Sequence, residues 1–156
     1  MSSVRATVLG ALRRPDTDEY LVQTLPTPAE PGTARRFVGG GIEFGETSDE
    51  ALEREFREEL DVAVEAGPVL GTVENLYRWD GEAGHDLAVV REARFADASP
   101  YDRDAFHGVE DDGSFEYGAA WRSLDDLVDS PEPFYPRCVA DLFGDGGTGH
   151  LVSVAD

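Results

Sequence analysis

Three consecutive glycines, Gly39, Gly40 and Gly41, run into a segment dense in glutamate, "GGGIEFGETSDEALEREFREELDV". Glycines in a row let the backbone approach a ligand closely and present carbonyls or amides that side chains would obstruct. Glu55, Glu58 and Glu59 follow at i, i+3 and i+4, so on a helix they share one stripe and repel one another. A divalent cation answers that repulsion, because hard cations such as magnesium take carboxylate and carbonyl oxygens. The competing reading is a solvated acidic face, which accounts for the glutamates but not for the glycines.

A helix must hold that stripe. Thr47 followed three residues later by Glu50 is a capping box, which starts the helix at about Ser48, and the pattern carries it to Leu60. Leu52, Phe56 and Leu60 then form the stripe that faces the core. Ahead of the helix, Val4 to Leu12, "EYLVQT" and "RRFV" read as strands, with "PTPAEPGT" as a proline-rich loop. Behind it come a turn at "EAGP" and a hairpin of "VLGTVENLYRW" and "DLAVVREARF" across the loop "DGEAGH", which holds His85. "FEYGAAW" is a further strand, "SLDDLVDS" a short helix and "YPRCVADLF" a terminal helix, with residues from about 144 to 156 a frayed tail. Strands and helices in this order predict one α/β domain over residues 1–156, a sandwich around a mixed sheet.

Gly40, five residues, Glu46, seven residues, then Arg54-Glu55-Phe56-x-Glu58-Glu59-x-x-Val62 resembles the Nudix box. Every specified position agrees except Asp61, where that family has the glycine that ends the helix; Asp tolerates the left-handed conformation this requires. Val38 stands where many members have proline, while Trp121, Leu124 and Leu127 look like a later part of the same fold. The resemblance implies an α/β/α sandwich that hydrolyses a nucleoside diphosphate linked to another moiety with magnesium or manganese. It implies Glu55, Glu58 and Glu59 as metal ligands, aided by the carbonyl of Gly39 or Gly40. Arg54 orients a box glutamate, Glu46 braces the loop, and Glu58 and Glu59 carry the catalytic charge. A member that senses a nucleotide without cleaving it is the alternative, although such domains typically lose box glutamates.

Beyond the box, Arg35 and Arg36 are candidates for phosphate or ribose contacts, Tyr77 and Trp79 for stacking on a base, and Glu116 for a further carboxylate among Glu110, Asp111 and Asp112. Ordinary strand-edge arginines, sheet packing and surface charge are the respective alternatives. Members specific for ADP-ribose often carry proline about where Arg78 stands, which counts against that substrate. No D-x-D-x-D-G loop for calcium occurs.

Acidic residues number 33 against 13 basic, a net charge of -20, and every basic residue is arginine. Such a surface repels phosphate backbones and anionic membranes, which argues against nucleic-acid or membrane docking through a basic patch; the small nucleotide partner is what the resemblance to the Nudix family implies. The balance resembles that of proteins from extreme halophiles, where salt near 1 M shrinks the Debye length to about 3 Å. No apolar run or leader-like N-terminus is present, so a cytoplasmic location is expected. The single Cys138 is read as a structural thiol. A homodimer is left open.

Overall fold

A computed structural model describes residues 2–27, 32–109, 116–143 and 149–154. Its elements are β1 (Arg5–Leu12), β2 (Glu19–Pro26), β3 (Thr33–Gly41), α1 (Ser48–Leu60), β4 (Val64–Trp79), β5 (Glu82–Phe95), β6 (Ala105–Val109), β7 (Glu116–Ser123), α2 (Leu124–Asp129), β8 (Phe134–Tyr135) and β9 (His150–Val154). The described strands form one mixed sheet in the order β6-β7-β2-β3-β1-β5-β4-β9, with β8 against β3. The pairs β1–β5, β4–β9 and β3–β8 are parallel and the others antiparallel.

Strand β3 is the seam of this sheet. Its first half pairs with β2, as Val22 opposite Phe37, and its glycine end pairs with β1, as Val8 opposite Gly40. Alternation along the strands sends Val8, Leu21, Val38 and Trp121 into a core under Leu52, Phe56 and Leu60 of α1. Leu9, Val22, Phe37 and Val90 go to the opposite face, beneath Leu127 of α2 and Val139. The expected sandwich around a mixed sheet is therefore the observed one. Burying each large apolar side chain of α1 contributes roughly 1.5–3 kcal/mol. Gly10 makes the close approach feasible, since a Cβ there would lie 3.0 Å from Leu52 and Phe56.

The helix ends are set locally. The Glu50 carboxylate accepts the Thr47 backbone N–H at 3.0 Å, the reciprocal half of the capping box. At the other end Asp61 has φ 54° and ψ 43°, and its N–H donates to the Arg57 carbonyl at 3.0 Å, so it is the left-handed cap that its place in the sequence requires.

Several expectations are corrected. The third strand is not confined to "RRFV" but runs on through the glycines to Gly41. The "EAGP" segment lies within β4, with register shifts between Ala66 and Gly71 where Pro68 cannot donate to the ladder. The hairpin turn is only Asp80-Gly81, both at positive φ, and Gly84 is inside β5 because the Tyr77 ring lies across it. "YPRCVADLF" yields a short 3-10 segment, Val139–Phe143, rather than a helix from its start, because Tyr135 pairs with β3 and Pro136 lacks an N–H. Residues 150–154 of the expected tail form β9 against β4, and β6 was not anticipated.

Replacing Asp61 with glycine is expected to leave stability unchanged or raise it by up to about 1 kcal/mol, because glycine adopts the left-handed cap without steric cost. Urea denaturation of Asp61→Gly measures this; a clearly lowered midpoint would reveal a bond made by the exposed Asp61 side chain.

Candidate functional site

Arg54 projects from α1 back toward the end of β3 and joins the two. Its Nε and Nη2 donate to Glu46 Oε2 and Oε1 at 2.7 and 2.9 Å, and Nη2 also donates to the Gly41 carbonyl at 2.9 Å. Its Nη1 donates to Glu55 Oε1 and Glu58 Oε2, each at 3.1 Å. Glu46 also accepts the Glu43 backbone N–H at 2.9 Å, closing the loop on itself. The hydrogen bonds from Arg54 hold the Glu46 carboxyl down to about 2, so it stays charged in any physiological medium. Glu43 reaches Arg54 at 3.8 Å, and Glu53 accepts the Ala66 N–H at 3.2 Å, tying α1 to β4.

The three box glutamates are not equivalent. Glu55 packs its carboxylate onto Gly40, where a Cβ would lie 2.6–2.7 Å from the carboxyl atoms. Glu59 is buried on the core side of the same helix, in hydrogen-bonding contact with Glu55, and accepts Gln23 Nε2–H at 3.1 Å. Glu58 is 60% exposed and turned to Arg54. Among the described residues no three acidic, histidine or cysteine side chains already converge as a cage. The donor set nevertheless fits a hard cation: it is all oxygen, and the carboxyls of the buried Glu59 and the partly buried Glu55 lie in contact. Burial raises the Glu55 carboxyl against the pull of Arg54, and burial pushes Glu59 up to about 8, with Arg36 opposing and Glu55 adding to the rise.

Arg35 and Arg36 part company because successive strand residues point to opposite faces. Arg35 is taken up by Glu132 at 3.0 Å and by Thr24 at 3.2 Å. Arg36 instead lines a cleft of about 600 Å³ together with Gly40, Tyr77, Trp79, Asp86 and Arg137. Tyr77 donates its hydroxyl to the Asp86 carboxylate at 3.3 Å. Gly39 is in the strand, where a Cβ would meet the Val8 carbonyl at 2.0 Å, and its own carbonyl accepts Arg36 Nη2–H at 3.4 Å. Glu116 begins β7 opposite Val109, but its side chain, like residues 110–115, lies outside the described residues. Sequence reasoning missed Gln23 and Asp86. A lone amide among Leu21, Val22 and Leu25 was the available signal for the first; nothing marked the second.

A mixed sheet in which β3 changes partner, one long helix bringing acidic side chains to that point and a cleft opening beside them define the α/β domain. The NUDIX domain family matches residues 4–142, and the chain belongs to that family. No curated protein sequence matches it. Among solved structures it is similar to a MutT NUDIX hydrolase from Burkholderia pseudomallei, at 25% identity over 89% of this chain and 96% of that one, with a TM-score of 0.63. It also shares its fold with a MutT protein from Methanosarcina mazei, at 17% identity over 91% of each chain and a TM-score of 0.62. An ADP-ribose pyrophosphatase from Streptococcus suis has the same fold at 16% identity over 96% of this chain and 98% of that one, with a TM-score of 0.55.

The raised Glu59 carboxyl fixes a sign for stability. The folded protein prefers the protonated form, so in metal-free protein the Glu59 contribution is complete below the unfolded value of about 4.3 and is lost as pH rises toward about 8. Glu59→Gln, which cannot ionise, is expected to flatten that fall and raise the metal-free melting temperature at pH 8. Thermal scans with chelator between pH 5 and 8 check it; an equal decline in both proteins would place the cost elsewhere.

Proposed function

We propose that the chain is a magnesium- or manganese-dependent pyrophosphohydrolase that cleaves a nucleoside diphosphate linked to another moiety. The observation that carries this reading is the double use of Gly40. It is the surface on which the Glu55 carboxylate lies, and it also lines the cleft, so the acidic cluster and the space for a ligand share one residue. Glu55, Glu58 and Glu59, with a Gly39 or Gly40 carbonyl, would hold the ion, which when bound supplies a Lewis acid for the pyrophosphate oxygens and a water of lowered pKa.

The chain's own residues do the rest. Arg54 and Glu46 lock the loop to the helix, so Glu55 is held beside Gly40 before substrate arrives. Glu58, the most exposed of the three, exchanges its bond to Arg54 for a place in the cluster and is open to accept a proton from the attacking water. Arg36 faces the cleft as a donor for a phosphate oxygen, and Tyr77 and Trp79 offer faces to a base. With all box glutamates present, hydrolysis is favoured over silent binding. The setting we infer is cytoplasmic and rich in salt; among the described residues no helix is long and apolar enough to cross a membrane.

Glu58→Gln and Glu59→Gln should each slow turnover by on the order of a hundredfold, since each keeps shape and removes one charge from the cluster. Asp125→Asn on α2, across the sheet, is the control. The measurement is release of phosphate-containing products from a panel of nucleotides with magnesium in high salt. Hydrolysis untouched by either change would sink the catalytic assignment, and tight nucleotide binding without hydrolysis by the unaltered protein would favour the sensor.

The charge reading has its own test. With a net charge of -20, unscreened self-repulsion opposes the folded state, so the melting temperature is expected to rise from low salt to molar potassium chloride. A flat or falling series would remove the halophilic reading and leave the hydrolase untouched.

A further inference from the structure

Gln23 is fully buried in β2, on the face that α1 covers, between the apolar layers of Leu21 and Val38. A buried amide is costly unless its hydrogen bonds are replaced, and here only half of them are. Nε2 donates to Glu59 Oε2 at 3.1 Å, whereas Oε1 is buried with no partner among the described residues. Directly across the strand pair stands Arg36 of β3, whose Nε is likewise buried without an acceptor. An apolar side chain at position 23 would leave no orphaned acceptor and would suit its neighbours better. What it could not do is bond to Glu59.

We propose that Gln23 is a positioning residue for the acidic cluster: by holding one carboxylate oxygen of Glu59 it fixes the plane of that carboxyl, leaving the other oxygen free for Glu55 and a cation. The inference rests on the reading of Glu55, Glu58 and Glu59 as the metal-binding cluster. Partners that orient a ligand from behind are worth tenfold to a hundredfold in metal affinity where they have been removed, while leaving the fold in place. Gln23 matches that description, since among the described residues its amide bonds Glu59 and no other partner.

The test is a double-mutant cycle read by manganese binding, using electron paramagnetic resonance of free Mn2+ on the full chain, so that no substrate is needed. Gln23→Met keeps length and removes the donor; it should weaken Mn2+ binding by about tenfold. Glu59→Ala should weaken it as well, and the double variant should be within about twofold of Glu59→Ala alone, because the side chain that Gln23 orients is then gone. Gln23→Leu repeats the measurement if Gln23→Met does not fold, with circular dichroism as the check. Unchanged binding in Gln23→Met, or losses that multiply in the double variant, overturns the proposal while the cluster stands. Failure of both variants to fold overturns it too, by showing that the amide holds the sheet together. Absence of Mn2+ binding by the unaltered protein refutes the cluster reading, and the positioning role falls with it.

Discussion

The arrangement hangs on the Arg54 guanidinium. A stripe of glutamates on one helix is self-repelling, and in the loop "IEFGE" Ile42 packs on the core while Phe44 stays in solvent. One planar cation joins the two, because its fork reaches Glu46 and the Gly41 carbonyl on the loop side and Glu55 and Glu58 on the helix side. A lysine ammonium could neutralise charge at one point but could not span these acceptors in fixed directions. With Arg54 in place, the start of α1, the end of β3 and the loop between them become a single rigid corner.

That corner works only because β3 changes partner along its length. Its first half belongs with β2 and its glycine half with β1, so the sheet opens where Arg36 and Gly40 lie. The cleft draws Leu9 and Ala88 from one core face and Arg36 and Gly40 from the strand positions that face α1. The glycines serve this seam directly. Gly39 admits the Val8 carbonyl and Gly40 admits Glu55, two approaches that any side chain would block. Their use is thus packing at the seam as much as access for a ligand.

What was legible in the sequence was what is decided locally. The capping box, the apolar stripe of Leu52, Phe56 and Leu60 and the left-handed Asp61 all follow from neighbours within a turn, and each is present in the structure. What was illegible depends on partners far along the chain. The segment His150–Val154 becomes a strand because β4, more than 70 residues earlier, offers it an edge. Arg35 and Arg36 look alike in sequence, yet strand alternation gives one to Glu132 and the other to the cleft. Gln23 shows the same limit from the other side: its composition fits a strand, and only the placement of Glu59 gives the amide a purpose.

The absence of lysine fits how the structure uses its cations. Arg91 donates to the Gly67 carbonyl and to Ser48, joining the irregular part of β4 to the first turn of α1, and Arg14 donates to the Tyr101 carbonyl while lying 5.1 Å over Trp121. Each bridges two elements with separate edges of one guanidinium, which an ammonium on a flexible stem does poorly. In a chain with so large an acid excess, cations arranged this way act as directional ties. Arg36 breaks the pattern. Among the described residues its buried Nε has no acceptor, and it lies beside Glu59 and lines the cleft. A cation held partly unsatisfied inside a strongly acidic protein is costly to keep, and an anionic ligand entering beside Gly40 is what would satisfy it.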